Sequence, residues 1–236
     1  MQRNLAISNI RSSPDIVCFF DDDVELDQYY LQNVVSKFES DKKKEIIGVC
    51  GNALNEKRRH LFDRFARKVF FITDNVSGKL LLSGDAGHIF SPKKDKRVST
   101  LSGCNMCFRQ EIYFEYNQRF DENLNDYAFM EDQDFSLRAG KFGRLVQVAD
   151  AKLIHHVSSV SRPDHRQLFE MYTVNSFYLL KKNLSPSTVN YVCYFWRLTG
   201  KFVHALLLSI KSVSSKPLKG WLLGLCHINK LSRKIP

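Results

Sequence analysis

An apolar run that stops abruptly at three adjacent carboxylates sets the first limit on what this chain can be. In "DIVCFFDDDVEL", Val17, Cys18, Phe19 and Phe20 run unbroken between Pro14 and the acidic cluster, too short for a helix. That is the pattern of a short buried strand. Asp21, Asp22 and Asp23 then repel one another unless solvent or a cation compensates them. A solvated acidic strand end is one reading. Placement favours a second: ligands of open α/β sheets gather at the carboxyl ends of strands, and hard divalent cations take carboxylate oxygens. An EF-hand calcium loop is excluded, because its sixth position is Leu26 where Gly is needed and its twelfth is Gln32 where Glu is needed.

The rest of the chain alternates. "RNLAISNI" and "YYLQNVVSKFES" read as helices, and "EIIGVCGNAL" as a second buried strand. "RRHLFDRFARKVFF" is an amphipathic helix, "GKLLLSG" a short strand, and "SPKKDKR" a surface loop. "VSTLSGCNMCFRQEIYFEY" runs from strand into helix. After a loop and a helix in "RFDENLNDYAFMEDQDFSLRAGKFG" comes the strand "RLVQVADAKLIHHV". From Arg166 onward only helical patterns remain. Such alternation predicts an α/β domain with a largely parallel sheet over residues 1–165, followed by a helical region over 166–236. At 236 residues the chain is long enough to bury a real core.

Cysteine and charge narrow the class. The six cysteines have no disulfide-framework spacing, and a chain without a secretory signal is expected to keep them reduced in the cytosol. The lone CxxC of Cys104 and Cys107 lacks the second pair that structural zinc needs. The net charge of +10 is unevenly placed: residues 1–180 hold 25 basic and 25 acidic residues, and residues 181–236 hold the other 10 basic residues with no acid.

Two further clusters carry possible chemistry. In "MEDQDFSLR", Glu131 and Asp134 share one face of a helix and Asp132 points aside. Acids here suit a helix start electrostatically, or supply a base with groups that orient it. His155 and His156 end a strand and point to opposite faces, so one of them at most faces a given site.

In this order, the apolar strand with DDD, "LSGCNMCFR", "RFDENL…EDQDFSLR" and "A-x-L-x-HH" resemble the family-2 glycosyltransferases of GT-A fold, especially those of bacterial surface polysaccharides. The likeness runs from Arg3 to about Asn183, with "RNLAIS" similar to the family's helix leading to the acidic strand. It implies that Asp21, Asp23 and His155 hold Mg²⁺ or Mn²⁺ on the diphosphate of a nucleotide-sugar, with His156 the lesser choice. Asp22, Gly103, Asn105, Glu131 and Asp134 would bind substrate, and Asp132 would be the general base of an inverting transfer to a saccharide or lipid-linked acceptor. Members usually begin with a strand, a helix and a second strand that cradle the nucleotide base. Here Asp21 follows Met1 by only 20 residues, so the first strands of a GT-A-like sheet are expected to be missing. A catalytically inactive remnant or subunit, and a metal-dependent hydrolase, are the alternatives.

The tail adds a location. "YVCYFWRLTGKFVHALLLSIK" sets Arg197, Lys201, His204 and Lys211 on one polar stripe among apolar and aromatic residues. Basic stripes, wide apolar faces and no acid predict helices lying on an anionic membrane surface, peripheral at its cytoplasmic side. Nucleic acid is not expected as a partner, because no binding motif accompanies the charge. No stretch of about twenty residues is apolar enough to predict a transmembrane helix.

Overall fold

The computed structural model describes residues 2–57, 59–124, 127–156 and 162–235. Helix α1 (Gln2–Ser8) leads into strand β1 (Ile16–Phe20) and, after the aspartates, β2 (Val24–Leu26). Helix α2 (Tyr30–Ser40), β3 (Ile46–Ala53) and α3 (Leu61–Val69) follow, then β4 (Lys96–Val98), β5 (Asn105–Arg109), α4 (Glu111–Phe114), α5 (Glu131–Ala139) and β6 (Arg144–His155). Helices α6 (His165–Leu184), α7 (Thr188–Lys211) and α8 (Lys216–Cys226) end the chain with a short 3-10 turn at Ser232–Lys234.

The α/β class holds, but the sheet is not largely parallel. Its order is β1-β5-β3-β6-β2, with β4 also against β6. Among the described residues only β3 and β6 run parallel; every other pairing is antiparallel. Periodicity reports the type of an element and not its direction. The long excursion between α3 and β5 returns the chain to the far end of the sheet, so β5 runs back against β3. "GKLLLSG" is not a strand either: Gly78 and Gly84 take positive φ (66° and 75°), and the Gly84 N–H closes a turn on the Leu81 carbonyl. The three-residue strands β2 and β4 are too short to leave a period.

Side chains of β5 alternate between two layers. Met106 and Phe108 pack with Ile7, Ile112 and Phe135 from α1, α4 and α5, while Cys107 packs with Tyr30, Val34 and Phe38 of α2. All six cysteines are free, and Cys18 stands opposite Cys107 across β1 and β5.

The C-terminal helices are anchored to this core. Capping boxes start α6 (Asp164 with Gln167) and α7 (Ser187 with Asn190). Lys182 on α6 pairs with Asp121 (2.5 Å) and Asp134 (2.9 Å). Gly220 lets α8 lie on α6, since a Cβ there would come within 2.1 Å of the Arg166 carbonyl oxygen.

One expectation is inverted. The first half of the polar stripe of α7 turns inward: Arg197 is 1% exposed and pairs with Asp85, and Lys201 sits over the Tyr172 ring at 3.9 Å, while His204 and Lys211 stay exposed. Period gives a helix its faces, but buried partners decide which face turns in. Here Asp85 and Tyr172 outcompete water. No helix among the described residues is long and apolar enough to cross a membrane.

Candidate functional site

β1 delivers Asp21 to the end of the sheet, and the Asp21 N–H donates to the Cys104 carbonyl in the loop before β5. After the turn, β2 pairs with the end of β6 in register Val24 to His155. That pairing brings together residues more than a hundred positions apart in sequence. Single ligand atoms of Asp21, Asp23 and His155 lie within 4.8 Å of one another. His155 Nε2 is 3.1 Å from Asp23, and Asn55 brackets the His155 backbone with a hydrogen bond to each side. His156 points the other way, to Glu25 at 2.9 Å. The split between the two histidines is as strand geometry predicts.

Beside this triad opens a cleft of about 870 Å³, lined among others by Arg3, Asp22, Gly103, Glu131 and Asp132. Its far wall is the first turn of α5. Gly103 allows the two walls to meet: its N–H donates to Asp132 Oδ2 (3.1 Å), and a Cβ there would lie 3.2 Å from that of Asp132. At the rim, Tyr127, Ala128 and Met130 hold positive φ (57°, 51° and 70°), strain of the kind that clusters at binding sites. A neighbouring groove of about 800 Å³ beyond Tyr127 is lined by Arg166, Lys230 and Lys234 and holds none of these carboxylates.

Arg3 ties the cleft together. Its guanidinium reaches Glu131 (2.7 Å), Asp21 (3.1 Å) and the Gly103 carbonyl (3.0 Å). The next residue, Asn4, holds the Phe120 backbone by both its N–H and its carbonyl. Sequence reasoning gave Arg3 no role. The available signal was a lone cation on a short acid-free helix directly before an acidic strand.

Desolvation is the first cause of the raised pKa of Asp21, Glu131 and Asp132, and Arg3 partly offsets it in each. For Asp132 the N–H groups of Gln133 and Gly103 also pull downward. A carboxylate at a cleft wall whose pKa burial has raised is a better proton acceptor than a solvated one.

Two predicted substrate contacts face elsewhere. Asn105 is buried within the sheet, where its carbonyl oxygen accepts from Gly51 N–H (2.6 Å) and Tyr30 Oη (3.1 Å). Asp134 is fully buried behind the cleft, held by Arg138 (2.7 Å), Lys182 and Asn183. The first turn of α5 thus presents Glu131 and Asp132 together, not Glu131 with Asp134, because Asp134 has cations of its own on α5 and α6.

The triad fits a hard cation. Ligands about 2.1 Å from one ion sit about 3 Å apart when adjacent and about 4.2 Å when opposite, so small side-chain shifts would close Asp21, Asp23 and His155 on a single ion. Two oxygens and one imidazole leave coordination positions open for water or phosphate oxygens. The cysteines belong to no comparable group among the described residues. No protein-family model matches this chain, and no curated protein does so.

Proposed function

We propose that this chain transfers a sugar from a nucleotide-sugar to a hydroxyl of a saccharide or lipid-linked acceptor, with inversion. One observation carries the reading: Asp21, which forms a donor triad with Asp23 and His155, lines the same cleft as a desolvated carboxylate, Asp132. Asp132 takes the acceptor proton as the hydroxyl attacks, while Glu131 and Asp22 orient sugar hydroxyls. Asp21, Asp23 and His155 hold Mg²⁺ or Mn²⁺, which when bound stabilises the charge that develops on the departing diphosphate. Among the described residues β1 is paired on one side only. Its open edge suits further strands of a GT-A-like sheet that would complete a nucleotide pocket.

Calorimetry with Mn²⁺, in the presence and absence of a nucleoside diphosphate, tests the site. Weak binding alone, strengthened at least about tenfold by the nucleotide and lost in Asp23→Asn, is expected. Tight binding that ignores the nucleotide points to a hydrolase. Arg3 already neutralises part of the cluster, which favours a non-catalytic subunit as the second reading; absence of any Mn²⁺ binding with nucleotide would select it. In a transfer assay Asp132→Asn removes turnover and spares nucleotide-sugar affinity, since a base acts on the acceptor proton.

A further inference from the structure

Two helices of this chain are built inside out. On α3, Leu61, Phe62, Phe65 and Val69 share one face and point to solvent, with Phe62 82% and Phe65 67% exposed. The arginines of the same helix turn inward: Arg67 Nε donates to the Thr73 carbonyl (2.7 Å) and Arg64 lies 3.6 Å from Asp74, while Lys68 stays exposed. On α7, Val189, Val192, Trp196, Val203, Leu207 and Ile210 form one outward stripe at helical spacing, all exposed.

The two faces are continuous. Trp196 Nε1 donates to the Val69 carbonyl (2.8 Å), and its ring lies 5.4 Å from that of Phe70. A Cβ on Gly200 would come within 2.5 Å of Phe70, so glycine there is what seats the end of α3 against α7. Folded monomers rarely leave so extended an apolar surface to water.

The charge around this surface selects its occupant. Lys68 on α3 and Lys211 at the end of α7 are exposed alongside the apolar side chains. Residues 181–236 contain no acid. A second copy would set like charge against like, and nucleic acid would leave the aromatic and aliphatic faces wet. An anionic bilayer answers both features.

We infer that α3 and the outer stripe of α7 seat the protein on an anionic lipid bilayer. The apolar side chains enter the acyl boundary, and the exposed Lys68 and Lys211, on the same two helices, draw lipid phosphates toward them. This surface lies outside the carboxylate cleft and does not depend on the sugar-transfer reading.

Flotation with vesicles of phosphatidylcholine alone, or with phosphatidylglycerol added, tests it. The intact chain is expected to float with the anionic vesicles and to resist release by moderate salt. The triple variant Phe62→Ser, Phe65→Ser, Leu207→Ser should lose at least about tenfold in partitioning while keeping its circular dichroism spectrum and melting temperature. Lys68→Gln combined with Lys211→Gln should weaken only the preference for anionic over neutral vesicles. Equal flotation of the triple variant and the intact chain overturns the inference. So does an intact chain that ignores both vesicles and sediments as a dimer which the triple variant dissociates.

Discussion

The carboxylate cleft and the α3–α7 face depart from ordinary packing in opposite directions. In the cleft, charge is placed where desolvation opposes it: Asp21, Glu131 and Asp132 share one arginine, and burial lifts the pKa of each. On the α3–α7 face, apolar area is placed where water opposes it, and cations are turned toward the core. Asp134 shows what the alternative looks like. Two residues beyond Asp132 on the same helix, it meets Arg138, Lys182 and Asn183 and sees no solvent. A charge with a full set of partners serves the fold, whereas one left partly compensated remains available to a ligand.

The largest expected effect breaks that distinction if it fails. Among the described residues, Asp134→Ala takes the only carboxylate from Arg138 and one of two from Lys182 and leaves a cavity, and should cost about 3 kcal/mol in urea denaturation. Asp132→Asn, in the same series, should cost nothing. Equal losses at the two positions would mean that Asp132 is as structural as Asp134. Next in size is Lys201→Met, which probes the other region. Burial brings the folded pKa of this lysine to about 8, below its ordinary value of 10.5, so it binds fewer protons folded than unfolded. Its penalty is therefore complete below pH 8 and fades as the pH climbs toward 10.5. Lys201→Met should raise the urea midpoint at pH 7, with a gain that disappears above that window. A gain independent of pH would assign the effect to packing.

Asp132→Asn sharpens the cleft side further. Raised carboxylate pKa values mean that the folded state binds more protons than the unfolded one, so the contribution of these groups to stability falls as pH rises from about 4. Removing one such group, while the amide oxygen still accepts from Gly103, should stabilise the chain by about 0.5 kcal/mol above that window. The gain should vanish in acid. Urea midpoints measured across pH would show it, and a loss at neutral pH would contradict the desolvation argument.

What could be read in the sequence follows from the range of the interactions. Strand β1, its aspartates and the opposite facing of His155 and His156 were legible because each is written in a few adjacent residues: an apolar run, its acidic end, a histidine pair alternating across a strand. Their meeting was not, because it depends on β2, three residues with no period, pairing with β6. Asn105 and Asp134 misled for a similar reason. Their neighbours in sequence suggest a site, but their partners, Tyr30 and Gly51 for one and Lys182 and Asn183 for the other, come from distant elements. On α7 the spacing of Arg197 and Lys201 defined a stripe correctly and its direction wrongly, since Asp85 and Tyr172 lie far upstream.

The smallest expected effect is the most telling for the comparison. Phe62→Ser with Phe65→Ser removes two large aromatic side chains from α3. In a core, one such loss costs about 3–5 kcal/mol, because the removed atoms were out of water and leave a cavity. On the outer face neither condition holds: both rings are mostly in solvent, and α3 is fixed instead by Arg64 and Arg67 on its inner side. The double variant should therefore stay within about 0.5 kcal/mol of the parent chain in lipid-free buffer, and its melting temperature should lose the upward shift that anionic vesicles give the parent. If it loses more than about 2 kcal/mol without lipid, some part of the protein already covers these rings. The outer face would then be ordinary core, and the contrast with the cleft would disappear.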